Sequence, residues 1–316
     1  MLRWVIAIAA ALVVAAAAIA VLGITVLGPS SLVRAYLDAL ARGDATGALE
    51  LPGVDDAGSS RLLLQDDALS GLRDLREVST VPGPDGTWLV TYDWRAPSGE
   101  GRTTFSVRQV GWRLGVFPEW GFATTPLATL QLAVQHDPRF TVNDLETETG
   151  LDTGDPRPYA VLAPGSYVFS HESEFLRAEP VVVEMDGAGS YSATLDIQAA
   201  PAFAEQAGAE IRAFLEACAE QRVLFPTGCP FGQQIRDRVV SDPVWTIVQQ
   251  PAVEVRPSAT FGTWSIPATA ATAHLVVDVR SIYDGSVSTF DEDVPFVARF
   301  DATIRGDRLR IVPADG

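Results

Sequence analysis

Cys218 and Cys229 are the only two thiols of the chain. In an oxidising compartment two cysteines of one domain pair. Closing a loop of this size stabilises by about 3 kcal/mol in the chain-entropy model. The bond would staple the helix expected around Cys218 to the Pro230-Phe231-Gly232 segment. Zinc needs further ligands, and no other cysteine or nearby histidine supplies them. The expected site residues are therefore a structural disulfide, Cys218 and Cys229, with no catalytic, cofactor-binding or metal-ligating set.

The histidines are His136, His171 and His274. Leu275, Val277 and Val279 alternate on one face of a strand, which leaves His274, Val276, Asp278 and Arg280 on the other. His274 and Asp278 then stand about 13 Å apart, too far for a hydrogen-bonded dyad along the strand. His136 and His171 read as loop or strand-end residues. Asp144, Glu146, Glu148, Asp152 and Asp155 have the rough rhythm of a calcium loop. Gly150 is one place late, however, and the closing ligand is Asp rather than Glu, so the stretch reads as a solvated acidic loop. Arg-Gly-Asp occurs at 42–44 and 305–307, where a helix stop and a hairpin turn each require Gly-Asp locally. No serine elbow, metalloprotease helix motif or dinucleotide glycine pattern is present.

Positioning these residues requires elements that the periodicity outlines. Val33, Tyr36, Leu37 and Leu40 recur at helical spacing, with Ser30 or Ser31 as cap and Gly43 as stop; Asp44 caps a second short helix that Pro52-Gly53 ends. Trp88, Val90, Tyr92 and Trp94 alternate with Thr87, Leu89, Thr91 and Asp93, the period of a half-buried strand. Strands follow at 103–109 and 112–117, with a turn at Gly111. Between 123 and 200 only short β-prone runs occur, at 128–134, 167–170, 180–185 and 191–197, which predicts a small β-sandwich. Phe203, Ala207, Ile211, Phe214, Leu215 and Cys218 form a helical stripe after Pro201. Strands at 273–281, 293–304 and 308–312 complete the chain. Helices preceding antiparallel strands make the fold class α+β.

The amino terminus has another character. Trp4 to Leu27 carries no charge and, as a helix, would span about 36 Å, enough to cross a bilayer. A signal peptide cut after Ala20 is the rival reading, but it would leave an apolar stub at 21–27. Arg3 on the short side orients the remainder outward by the positive-inside bias. The expected organisation is a cytoplasmic stub at 1–3, a transmembrane helix at 4–27, a cone-like α+β domain at 28–122, a β-sandwich at 123–200 and a second α+β domain at 201–316.

Of the 316 residues, 47% are apolar, and the net charge is −17. All 23 basic residues are arginine, which excludes lysine chemistry such as a Schiff base or a Walker phosphate loop. The negative charge excludes nucleic acid as partner. The 123–200 segment is the most acidic, with 3 Arg against 12 Asp and Glu. Six of the seven tryptophans lie beyond the apolar segment, and Trp88, Trp94, Trp112 and Trp120 could fill a core or line a glycan pocket.

The run VRAYLDALARGDATGALEL at 33–51 is similar to the opening helices of the cone-shaped fold named after nuclear transport factor two, also seen in cystatin-like domains. That resemblance implies a curved sheet with a concave face over roughly 30–120 and no particular chemistry. Phe140-Thr141-Val142-Asn143-Asp144 with Ala163-Pro164-Gly165-Ser166-Tyr167 resembles the PEGA-type β-domains of bacterial surface proteins. The whole plan resembles anchored single-pass actinobacterial envelope proteins of unknown role and, more remotely, teicoplanin-resistance-associated membrane proteins. The expected function is thus a membrane-anchored, extracytoplasmic, non-enzymatic binding or scaffold protein. It would need no cofactor, would hold the membrane through its N-terminal helix, and would have an envelope protein or glycan as partner. The competing expectation is a lyase or hydrolase working in the first domain's cone with Asp93 or a similar acid. A cavity around a raised-pKa carboxylate would mark the enzyme, and a filled cone the scaffold.

Overall fold

The computed structural model describes residues 28–55, 58–113, 117–306 and 308–314. The apolar segment at 4–27 lies outside them, and no helix among the described residues is long and apolar enough to cross a membrane. The fold is α+β and mostly strand: three helices accompany four sheets among the described residues.

Helix α1 (Pro29–Ala41) starts one turn earlier than serine capping predicts. Gly28 is the N-cap and Pro29 takes the first turn, where its missing N–H costs nothing; the Ser31 hydroxyl instead donates to the Gly28 carbonyl at 2.7 Å. Gly43 stops the helix at φ +70°, and Asp44 caps α2 (Ala45–Leu49) by accepting from the Gly47 N–H at 2.7 Å. The meander β1 (Arg73–Pro82), β2 (Trp88–Ala96), β3 (Gly99–Arg113) and β4 (Phe117–Phe122) packs beneath α1. Gly111 is not a turn. Strand β3 runs through it, and the register slips between Gln109 and Gly111 as a bulge. Leu32, Val33, Tyr36, Leu37 and Leu40 meet Val90, Tyr92, Trp94, Phe105, Val107 and Phe122 in one buried cluster.

The middle of the chain folds into two sheets. In the first, β5 (Leu127–Gln135) lies between β8 (Arg157–Leu162) and β11 (Ser190–Asp196), with β11 parallel to it. In the second, β6 (Arg139–Val142), β7 (Leu145–Glu148), β9 (Gly165–Glu172), β10 (Leu176–Met185) and β12 (Gln198–Ala199) take the order β12-β10-β9-β6-β7. Part of the segment read as acidic loop is therefore strand, since Glu146 and Glu148 lie on β7. Residues 58–70 also join this unit. Ser60 bridges Tyr159, and Leu63 and Ala68 enter its core.

Helix α3 (Pro201–Ala219) buries Phe203, Ala207, Ile211, Leu215 and Cys218, the stripe its sequence spacing predicts. Beside it stands a sheet dominated by the hairpin β16 (Thr263–Arg280) and β17 (Val287–Arg305), of 18 and 19 residues. Strands β13 (Arg238–Val239), β14 (Val244–Gln249) and β15 (Arg256–Pro257) pair with β16, and β18 (Arg308–Pro313) pairs with β17. Phe203 stacks edge-on to both Phe175 and Trp264, so this core is continuous with that of the middle sheets.

Candidate functional site

Alternation on β2 sends Val90, Tyr92 and Trp94 inward, and so places Asp93 on the solvent face of the first sheet. There Asp93 accepts from Arg102 Nε at 2.6 Å and from Arg76 Nη2 at 2.7 Å. Arg95 bridges Asp74 and Glu100 beside it, and the group surrounds an open hollow of about 650 Å³. Hydrogen bonds from Arg102 and Arg76 hold the Asp93 carboxyl down to about 2. Such a group accepts hydrogen bonds but has no proton to give near neutrality.

The space beneath the sheet is occupied. Tyr36, wholly buried, stacks edge-on against Phe122 and Phe105, with ring centroids 5.3 and 6.0 Å away. Its hydroxyl reaches the carbonyls of Ala163 and Pro126. Trp94 is buried too, donating from Nε1 to Thr103 Oγ1 at 2.8 Å, whereas Trp112 stands exposed at the far end of β3.

His171, near the end of β9, is buried beside Asp137 and Arg139 above a hollow of about 450 Å³. Its Nε2 lies 3.3 Å from Ser173 Oγ. A serine and a histidine this close invite comparison with a nucleophile and its base. The Ser173 hydroxyl, however, donates to the Leu176 carbonyl at 3.2 Å and accepts from the Leu176 N–H at 3.2 Å, so its proton is committed to a turn. Burial lowers the His171 pKa, since it disfavours the charged ring. His136 sits at the joint between the middle and last units, with Nδ1 3.0 Å from the Ile197 carbonyl and its own carbonyl accepting from Gly262 N–H.

His274 does not meet Asp278, as strand geometry requires, but it meets two acids that its own strand does not carry. The β16–β17 register places Asp293 opposite it, and its Nδ1 and Nε2 lie 2.8 Å from Asp293 and 2.9 Å from Asp291. Both ring nitrogens therefore face carboxylates. The hydrogen bond to Asp293 and the adjacent charges raise the His274 pKa.

Cys218 and Cys229 are joined, with Cα atoms 5.9 Å apart. The disulfide fixes the loop after α3, whose Pro230 borders an apolar hollow of about 620 Å³ with Phe214, Val297, Phe300 and Pro313. Sequence spacing gives no sign of this hollow, because its walls come from five distant segments, Arg299 and Ala268 included. Of the two Arg-Gly-Asp triplets, the first serves as helix stop and cap, with Arg42 3.6 Å from Asp44; Asp307 of the second is outside the described residues. No group of histidine, cysteine, aspartate and glutamate side chains fit to hold a metal occurs among the described residues. Compared with protein-family models, curated proteins and solved structures, the chain matches none.

Proposed function

We propose that this chain is a membrane-anchored, extracytoplasmic binding or scaffold protein of the cell envelope, of the single-pass kind its sequence resembles, and that it works without catalysis. On this reading residues 4–27 hold the membrane. The cone-like α+β unit, the β-sandwich and the second α+β unit then stand outside as one connected body. The observation that supports it is the first unit's interior: Tyr36, Phe105 and Phe122 pack together in the buried space between α1 and the sheet, where an enzyme of the first unit would need a cavity. Asp93, the acid best placed for an enzyme of that unit, lies on the opposite face and is neutralised by arginines. The Cys218–Cys229 bond supports an oxidising exterior, where such bonds persist.

Two measurements test the reading. Alkaline carbonate washing should leave the protein in the membrane fraction, and protease added to spheroplasts should digest it; release by carbonate, or protection from protease, would refute the placement. Crosslinking in intact cells should join the chain to another envelope component. Self-crosslinks alone would refute the binding role.

A further inference from the structure

Strand β18 covers only residues 300–305 of β17, and the Ala314 N–H adds one bond to the Arg299 carbonyl. From 298 back to 287, β17 pairs with β16 on one side and with no strand among the described residues on the other. Backbone groups alternate in direction along a strand. Since the Arg299 carbonyl points to the β18 side, Val297, Asp293, Asp291 and Thr289 point their N–H and C=O groups to the same open side. Pro295 fits this phase, because its missing N–H falls on the open edge and not in the β16 ladder. No hydrogen bond within the described structure uses these edge groups.

Three features of this edge specify an occupant. Where β18 stops, the hollow walled by Phe214, Pro230, Val297, Phe300 and Pro313 offers an apolar seat. Further along, the side chains of Asp291 and Asp293 stand on the solvent face, one at each ring nitrogen of His274; each is about two-thirds exposed (63% and 67%), and two carboxylates against one imidazole leave the patch negative. A second copy of the edge is a poor match. The two antiparallel registers centred on the open stretch set Asp293 against Asp293, or Asp291 against Asp293, and like charges directly opposite repel; a register shifted toward Val297 avoids this but pairs only residues 290–298.

We propose that the open edge of β17 accepts an extended segment of a partner protein, collinear with β18 and antiparallel to β17. Its first residue is apolar and lies opposite Val297; arginine or lysine lies opposite Asp293 and Asp291. Main-chain bonds supply affinity, while the hollow and the two acids supply selectivity. The inference rests on the reading of the chain as a binding module and names the chemistry of what it binds.

The test uses the full chain and a fluorescein-labelled, end-capped peptide reading Val-Thr-Val-Thr-Arg-Thr-Arg-Thr, followed by anisotropy at low salt. Saturable binding is expected. Methylating the backbone nitrogens of both arginines, which face the edge in this register, should weaken it about tenfold or more, whereas methylating two threonine nitrogens should change it less than about twofold. Asp291→Lys with Asp293→Lys should weaken the parent peptide at least about tenfold, and glutamate in place of its arginines should abolish binding. Absence of binding, equal binding of the arginine-methylated peptide, or a dimer of the chain that Asp293→Pro dissociates would each overturn the proposal. The methylated peptides probe the edge without altering the protein. In intact-cell crosslinking, a partner captured equally by the wild type and the double variant overturns the edge alone; a chain that captures nothing overturns the binding-module reading itself.

Discussion

The Tyr36 hydroxyl lies 2.9 Å from the Ala163 carbonyl and 3.1 Å from that of Pro126, so one buried proton on helix α1 serves two acceptors on the middle sheets. Pro126 also accepts from the Ala163 N–H, which leaves Ala163 as the acceptor that depends on Tyr36. Tyr36→Phe keeps the ring between Phe105 and Phe122 and deletes only this bond. A loss of about 1–2 kcal/mol is expected in urea unfolding, against about 3–5 kcal/mol for Tyr36→Ala, which also empties the core. Equal stability of wild type and Tyr36→Phe would show that the hydroxyl does not join the two units.

The disulfide closes a short loop between the end of α3 and the segment bearing Pro230 and Phe231, and Phe231 stacks 5.0 Å from Trp245. Replacing both cysteines by alanine should cost about 3 kcal/mol and loosen that loop first. Thiol labelling of the denatured, unreduced protein should find no free thiol. Stoichiometric labelling of both would contradict the bond.

Legibility in the sequence followed the range of the physics. Val33, Tyr36, Leu37 and Leu40, or Trp88 to Trp94, declare their element because neighbours within one turn or two residues share a face. Arg73–Pro82 does not. It is an edge strand, largely exposed, so its apolar residues follow no period. Gly111 carries a turn residue's identity but sits beside a bulge. The pairing of His274 with Asp291 and Asp293 depends on a cross-strand register fixed by the whole hairpin, and no local spacing records it. The open edge leaves a trace in the sequence, where the strand expected at 308–312 is much shorter than its partner at 293–304.

His274 offers a pH test. With carboxylates at both nitrogens, the charged ring is favoured in the folded state, and its pKa is raised, first through the bond to Asp293. The stabilisation it contributes is fully present below the ordinary histidine value of about 6.5 and is lost as pH rises through the raised value. Proton NMR should show His274 titrating above that ordinary value, and Asp293→Asn should move the midpoint down. A midpoint at or below the ordinary value in the wild type would contradict the geometry.

Asp93 provides the opposite case. Its carboxyl is held to about 2 by Arg102 and Arg76, so its contribution is present above the ordinary aspartate value of about 3.9 and disappears as pH falls toward 2. Arg102→Gln combined with Arg76→Gln should raise the Asp93 midpoint in a carbon-detected titration. Were the midpoint in the wild type already above the ordinary value, Asp93 would hold a proton available for acid catalysis, and the case for a non-enzymatic first unit would weaken.

Asn143 docks 66–69 onto the middle sheets, beside the Asp144 N–H, which donates to the Asp67 carbonyl at 3.1 Å. Asn143 adopts φ +50° at the β6–β7 turn, where most side chains are strained and asparagine is tolerated. Its Oδ1 accepts from the Val168 N–H at 3.0 Å, and its Nδ2 donates to the carbonyls of Ala68 at 2.7 Å and Ser166 at 3.3 Å. Asn143→Ala removes all three bonds and places alanine in the left-handed region, for an expected loss of about 3 kcal/mol. Asn143→Gly removes the same bonds without the backbone strain and should be less damaging by about 1 kcal/mol. Urea unfolding with unchanged slope separates the two contributions. If alanine and glycine proved equally costly, the strain would be absent and the loss would belong to the side chain's hydrogen bonds alone; if neither were costly, the amide would not bind Ala68 to Val168 at all.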